Sequence, residues 1–387
     1  MISAIALPRL MRIGAGACGL LPEVLGQLGL SRPFVVTDPY LAGSGPAALL
    51  VERLAAAGIR AALFSDTVPD PTVASVEAAL AALKAGDHDC VVGFGGGSPI
   101  DTAKAVAVLA RHGGPMRAYK APRCQDAAGL PIIAIPTTAG TGSEATRFAI
   151  VTDEDTDEKM LCAGLAYLPV AALVDYELTL TKPARLTADT GIDALTHAIE
   201  AYVSRRANPF SDGFALQAMR AIAPNLRRVW TDPGDRGARE AMMFGACQAG
   251  IAFSNSSVAL VHGMSRPIGA HFHVPHGLSN AMLLPAVTAF SAPGAPSRYA
   301  ACARAMGVAR ENADDRGAVE SLIAELQRLN DDLEVPTPAE YGIDGESWTA
   351  LVPTMAAQAL ASGSPANNPV QPSAEAIAAL YRQVWAA

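Results

Sequence analysis

The sequence predicts an α/β domain followed by an all-helical domain. In the first half, short apolar runs alternate with amphipathic, alanine-rich stretches. Past Thr181 the strand-like runs fade, and long segments keep a helical period instead. The Lys182-Pro183 step, where proline favours a break, falls between the two regimes. The reading therefore places a mixed domain at residues 1–180 and a helical domain at 181–387. The chain of 387 residues suits two buried cores at roughly 100–200 residues each.

The elements read in order. Pro33–Asp38 is an apolar strand ending in a turn, and Gly45–Ala57 is a helix with Leu49, Leu50 and Leu54 at i, i+4 spacing. Arg60–Ser65 is a second strand. Pro69–Thr72 is a turn, with Thr72 placed to cap the alanine-rich helix after it. Cys90–Phe94 is a third strand, followed by three glycines and a helix from Ser98. Pro131–Ile135 and Ala171–Val174 complete the strands. Continuous apolar strands alternating with helices predict a parallel sheet covered on both faces. Thr187–Ser204, Ser211–Val229, Gly237–Phe253 and Ala318–Asp331 read as helices, and Ala361–Pro372 as a loop.

Composition excludes several classes. Half the residues are apolar and 17% are charged, which argues against disorder. No apolar run reaches the ~20 residues of a membrane span. The net charge of −8, with no basic cluster, makes nucleic acid a poor partner. Cys18, Cys90, Cys124, Cys162, Cys247 and Cys302 are far apart, which fits neither a disulfide framework nor a thiolate zinc site. Met1–Leu10 carries no secretion signal, so a cytoplasmic location is expected.

Two loops point to an anionic ligand. Gly95-Gly96-Gly97-Ser98-Pro99-Ile100-Asp101 joins a strand to a helix. Glycines let a backbone approach an anion, and free amides at a helix start attract phosphate. Ser98 reads as a cap or a phosphate donor, and Pro99 as the first helical residue. The same run also reads as a tight turn with no ligand. The usual GxGxxG fingerprint on the first strand is absent. Pro136–Glu144 (PTTAGTGSE) follows the fourth strand and faces the same edge of a parallel sheet, either as a capped loop or as a second wall of the crevice. Asp38 at a strand end reads as a ribose ligand favouring NAD over NADP, or as a turn cap.

A third constellation concerns a metal. Asp193 and His197 are four residues apart on a predicted helix, hence on one face. Of only seven histidines, His262, His271, His273 and His276 crowd one apolar segment. One carboxylate with imidazoles suits Fe(II), Zn(II) or a neighbouring first-row ion such as Mn(II). Isolated histidines are more often satisfied polar residues, so it is the grouping that favours a metal.

GGGSPID, PTTAGTGSE, DALTHAIEAY and VHGMSRPIGAHFHVPHG, in this order, closely resemble the iron-containing (group III) alcohol dehydrogenases, from about Ile13 to Leu284. The resemblance implies a Rossmann-like NAD-binding domain and a helical metal-binding domain, together dehydroquinate synthase-like, with the active site in the cleft between them. It implies a cytoplasmic homodimer or larger homo-oligomer that moves a hydride between NAD(H) and a small alcohol, aldehyde or ketone. Carried onto this chain, the metal ligands are Asp193, His197, His262 and His276. The cofactor contacts are Asp38, Gly96, Gly97, Ser98, Asp101, Thr137, Thr138, Thr141 and Lys159, and the pocket aromatic is Phe253. Three positions depart from the family. A histidine of the proton relay is replaced by Arg266, which leaves His271, His273 or water for that role. Phe148 stands where a polar residue at the substrate end is common, and Val370 follows Asn368-Pro369. Arg266 also suggests a carboxylate-bearing substrate. Competing readings are a maleylacetate reductase-like enzyme, which needs no metal, a glycerol dehydrogenase-like zinc enzyme, whose motifs fit less well, and a non-catalytic nucleotide-binding protein.

Overall fold

The computed structural model describes residues 2–385. They divide into two compact units, one from Ala4 to Thr181 and one built from Lys182 onward.

The first unit contains β1 (Leu10–Ile13), α1 (Leu21–Leu28), β2 (Pro33–Val36), α2 (Pro39–Gly43), α3 (Pro46–Ala56), β3 (Ala62–Phe64), α4 (Val73–Lys84), β4 (Cys90–Gly95), α5 (Gly97–His112), β5 (Ile132–Pro136), β6 (Phe148–Asp153), β7 (Glu158–Ala163) and β8 (Ala171–Val174). Six strands form one parallel sheet in the order β1-β8-β5-β4-β2-β3. Alternate residues enter opposite cores. Phe34, Val36, Val91 and Ile132 face the α4–α5 side. Val35, Val92, Phe94, Ile133 and Ile135 face the α1–α3 side. Both faces are covered, as the unbroken apolar strands require.

Thr72 caps α4 as expected, and Ser75 returns the hydrogen bond to the Thr72 amide. The start of α5 differs from the reading. The helix begins at Gly97 with Gly96 as its cap, so Ser98 and Pro99 fall inside the first turn. The Ser98 hydroxyl accepts the Asp70 amide at 3.2 Å and caps nothing. Pro99 is tolerated there because the first four helical N–H groups lack partners in any case. Among the strands, the edge strand β1 and the antiparallel hairpin β6–β7 have no counterpart in the reading, which also named neither α1 nor α2. Both strands of the hairpin bury alternate residues, Ala149 and Val151 on one and Met160 and Cys162 on the other.

The second unit is helical: α6 (Ala184–Val203), α7 (Pro209–Thr231), α8 (Arg236–Ser254), α9 (Leu260–Phe272), α10 (His276–Ser291), α11 (Pro296–Ala305), α12 (Asp315–Asp332), α13 (Gly345–Ala361) and α14 (Ala374–Trp385). Residues 361–372, expected as loop, include one short turn of helix at Ser364–Asn367. Buried Trp348 on α13 meets Phe272, Tyr381 and Trp385 with ring centroids 5.5–5.8 Å apart. The Tyr381 hydroxyl donates to the Met264 carbonyl at 2.7 Å, fastening α14 to α9. Among the described residues no helix is long and apolar enough to cross a membrane.

One buried cation braces the first unit. Lys104 on α5 is fully buried. Its Nζ donates to the Thr146 carbonyl and hydroxyl and to the Phe148 carbonyl at 2.7–3.1 Å, holding the base of the hairpin to the sheet layer. Burial lowers its pKa to about 8, against the pull of Asp101 and Glu144. The unfolded chain keeps this proton to about pH 10.4, so between the two values the unfolded state binds more protons and the lysine's contribution to stability rises with pH. Urea melts of wild type and Lys104→Met should diverge in favour of wild type from pH 7 to pH 10, by up to about 3 kcal/mol at 1.36 kcal/mol per pKa unit. A constant difference across this range would show that Lys104 does not titrate there.

Candidate metal centre and cofactor loops

The cation site is assembled by three helices of the second unit. On α6, Asp193, His197 and Glu200 follow at i, i+4 and i+7, so they share one face. His262 comes from the first turn of α9 and His276 opens α10. Gly277 permits the approach of α10 to α6, since a Cβ there would lie 2.4 Å from the Asp189 carbonyl oxygen.

Asp193, His262 and His276 each offer a ligand atom, and all three atoms lie within 4.8 Å of one another. His262 Nε2 is 3.4 Å and His276 Nε2 3.8 Å from Asp193 Oδ1. A tetrahedral ion with bonds of about 2.1 Å spaces its donors by about 3.4 Å, so the set fits a divalent cation. Burial alone would raise the Asp193 pKa. His197, His276 and His262 outweigh it and hold this 2% exposed carboxyl well below the usual range.

Glu200 orients His262. Its carboxylate accepts the Ala259 and Val261 amides at 2.8 and 2.6 Å, and His262 Nδ1 at 2.6 Å. Nδ1 is thereby the donor, and Nε2 is left facing the cation position. Burial disfavours the imidazolium, but Glu200 and Asp193 prevail and push the His262 pKa up to about 9. A cation binding at Nε2 replaces that proton.

Asn280, one turn after His276, donates its Nδ2 to Asp193 Oδ1 at 2.6 Å and lies 3.3 Å from Nε2 of both His262 and His276. Its own Oδ1 is sealed from solvent without a hydrogen-bond partner. A polar donor lodged among three ligand atoms, beside an orphaned oxygen, is a second sign that the pocket is built for a cation. Sequence reasoning assigned roles to neither Glu200 nor Asn280. The signal was present in their helical spacing, Glu200 three residues after His197 and Asn280 four after His276.

The remaining residues expected at this site are less uniformly placed. His197 stacks on Phe253 and on His262, with ring centroids 4.3 Å apart in both pairs. Its Nδ1 is 3.8 Å from Asp193 Oδ1, beside the compact set of three but not within it. Phe253 thus abuts an imidazole of the centre. His271 bonds through Nε2 to Gln358 Oε1 at 2.8 Å, and exposed His273 is the left-handed C-cap of α9 at φ 54°. Arg266 lies one turn beyond His262 on α9.

In the first unit, the cofactor candidates gather where neighbouring parallel strands end. Asp38 follows β2, the glycine run closes β4, and the threonine loop follows β5, strands adjacent in the sheet. The chain leaves β2 toward β3 and β4 toward β5, in opposite directions along the sheet, so this is a switch point of the kind at which α/β folds bind ligands. Gly95 sits at φ 157°, where a Cβ would meet Pro99 at 2.5 Å. At Gly96 and Gly97 a Cβ would reach Thr138 and Thr141 at 3.4 and 3.0 Å, so the two loops face each other closely. The buried hydroxyls of Thr37, Thr137 and Thr138 have no hydrogen-bond partner, leaving donors and acceptors for a polar ligand.

Other candidates carry structural bonds. Asp38 Oδ1 caps α2 by accepting the Leu41 amide at 2.8 Å. Asp101 accepts the Ser143 hydroxyl at 2.7 Å and the Ile150 amide at 2.8 Å, tying α5 to the threonine loop and to β6. Thr141 accepts the Ser143 amide at 3.3 Å. Lys159 on β7 pairs with Asp70 at 2.9 Å. Phe148 opens β6 and offers its carbonyl to Lys104.

Sequence comparison matches residues 8–176 to the iron-containing alcohol dehydrogenase family and residues 187–385 to that family's C-terminal domain. The chain belongs to the iron-containing alcohol dehydrogenase family. It is an oxidoreductase by this membership. It is 37% identical over 340 residues to the NAD-dependent methanol dehydrogenase of Bacillus methanolicus, covering 88% of this chain and 89% of that one. It is 34% identical over 375 residues to the lactaldehyde reductase of Escherichia coli K12, covering 96% and 97%. The solved structure of a 1,3-propanediol oxidoreductase superposes with a TM-score of 0.95 at 35% identity, covering 99% of this chain and 100% of that one.

Asn280→Ala should weaken cation binding about 10- to 100-fold, the usual effect of losing a residue that orients a ligand. Competition with a chromogenic chelator measures this, with thermal melts to verify the fold. Unchanged affinity would reduce Asn280 to a packing residue.

Proposed function

We propose that Asp193, His197, His262 and His276 hold one divalent cation, that the glycine and threonine loops hold NAD, and that the chain interconverts a small alcohol with its aldehyde or ketone. The observation that carries this is the convergence of Asp193, His262 and His276 on one point in the helical unit. Family membership favours Fe(II), while the donor set also suits Zn(II) or Mn(II). When bound, the cation supplies Lewis acidity toward the substrate oxygen and the nicotinamide supplies hydride chemistry.

The protein's part is placement. Asp193 contributes the negative charge, with Asn280 steering its carboxylate. Glu200 fixes the tautomer of His262. His197, backed by Phe253, is the fourth donor in this reading. Gly96, Gly97 and Ser98 offer amides to the pyrophosphate, and Thr137 and Thr138 offer hydroxyls. Asp101 and Lys159 shape that cradle through their bonds to Ser143 and Asp70. Asp38, with Oδ1 engaged by Leu41, keeps Oδ2 for a ribose hydroxyl. We assign the proton path to water, because His271 is bonded to Gln358 and His273 stands exposed at a helix cap.

The relatives' named activities on methanol, lactaldehyde and propanediol support a small substrate. All six cysteines are free, which supports a reducing, cytoplasmic setting. Self-association into a homodimer or larger assembly completes the reading. The converging donors favour this enzyme over a metal-free maleylacetate reductase-like activity and over a nucleotide binder without turnover.

His262→Ala and His276→Ala should lose bound metal and NADH-coupled turnover together, the latter by at least about 100-fold, in the range of a missing catalytic electrophile. Elemental analysis and an aldehyde-reduction assay read the two losses. Wild-type protein stripped by chelation should regain activity with Fe(II), Zn(II) or Mn(II). Full turnover in metal-free protein would remove the cation from the mechanism.

A further inference from the structure

Among the described residues of the helical unit, the arginines withdrawn from solvent are Arg185, Arg227, Arg239, Arg266, Arg298 and Arg304. Arg185, Arg227, Arg298 and Arg304 pair with Asp189, Glu325, Asp212 and Asp315 at 2.6–2.8 Å. Arg239 donates to the Pro233 carbonyl and to the Thr187 hydroxyl. Arg266 differs from all of these. It is half-buried on α9, and none of the described residues gives its guanidinium a hydrogen bond, an ion pair or a ring contact. Its nitrogens still reach solvent, for none is among the sealed unsatisfied atoms. Burial lowers its pKa from the usual guanidinium value, while Glu200 pulls the other way. Glu200 attracts it at long range but makes no ion pair with it, its oxygens being hydrogen-bonded to Ala259, Val261 and His262.

A guanidinium partly withdrawn from bulk water, with none of its N–H groups bonded within the chain, has its donors available to an acceptor. Its fork matches a carboxylate through two parallel hydrogen bonds. On α9 it follows His262 by four residues, so both side chains share a face, separated by about one helical pitch of ~5.4 Å.

We propose that Arg266 is a specificity residue that receives the carboxylate of the substrate, so that this chain acts on a short hydroxy acid and its oxo acid. The inference rests on the alcohol–aldehyde reading above and narrows its substrate class. With the reacting oxygen at the cation centre and the carboxylate received from the next turn of α9, a short chain joins the two groups. The reaction is balanced as oxo acid, NADH and a proton giving hydroxy acid and NAD+. The aldehyde carbon gains the hydride, and the carboxylate is unchanged.

The test uses the metal-loaded enzyme with NADH and two aldehydes of equal length, 4-oxobutanoate and butanal. Wild type should prefer 4-oxobutanoate by tenfold or more in kcat/KM. Arg266→Ala should lose at least about thirty-fold on 4-oxobutanoate, mostly in KM, in line with removing one partner of a desolvated charge pair, and less than about threefold on butanal. Arg266→Lys should recover part of the loss. Calorimetric binding of butyrate and butyramide to the metal- and NAD+-loaded protein gives a readout without turnover. Butyrate should bind wild type more tightly than butyramide, and Arg266→Ala should erase the difference. Equal losses on both aldehydes, or butyrate binding indifferent to Arg266, overturns the inference while leaving the alcohol–aldehyde reading intact. Arg266-dependent butyrate binding without reduction of either aldehyde sinks that reading and leaves the anion site standing.

Discussion

A carboxylate that is 2% exposed stays ionised only if positive charge or strong donors surround it. Asp193 meets this demand with His262, His276 and Asn280 at 2.6–3.8 Å, and much of the helical unit follows from it. α6 must carry the acid on its inward face, α9 must bring a histidine in its first turn, and α10 must begin hard against α6. Gly277 makes the last approach possible, because any side chain would strike the α6 backbone. The centre thus exists only where three helices from distant parts of the sequence meet.

Around that acid the protein arranges a graded set of partners. Glu200 spends both oxygens on two backbone amides and on His262, which turns Nε2 inward. Asn280 offers an N–H to the acid and leaves its own oxygen unsatisfied. These two residues carry as much of the design as the ligands do, since they decide tautomer and carboxylate orientation. The α/β unit solves a different problem with similar economy. Glycines at 95–97 remove side chains where two loops close on one another, and unpartnered threonine hydroxyls are left at the strand ends. In the function proposed above, one unit serves a cation and the other a phosphate-bearing nucleotide.

Legibility differed by element. Strands β2, β4, β5 and β8 were clear because they are buried on both faces and read as unbroken apolar runs. The hairpin β6–β7 escaped because only alternate residues are buried and its turn is acidic. Edge strand β1 escaped because it is short and carries Arg12 among only partly buried neighbours. The start of α5 was misplaced by two residues around Ser98 and Pro99, since both residue types suit several positions of a first turn. The Asp193–His197 spacing and the crowding of His262, His271, His273 and His276 were legible from residue type, and the family resemblance singled out His262 and His276 among the four. Glu200 and Asn280 were not singled out, because a lone acid or amide on a helix is ordinary until its partners are known.

The sequence by itself determined the periodicities, the glycine and threonine loops and the inventory of donors, because these depend on residue type and near neighbours. Tertiary structure decided how closely the donors converge. It placed His276 with Asp193, gave His271 to Gln358 and left His273 at a helix end. It also left the Arg266 guanidinium without a hydrogen bond or ion pair, while the other arginines withdrawn from solvent in the helical unit found partners. The reason is physical: coordination and ion pairing act over a few ångströms between residues tens of positions apart, and only the packing of helices sets those distances.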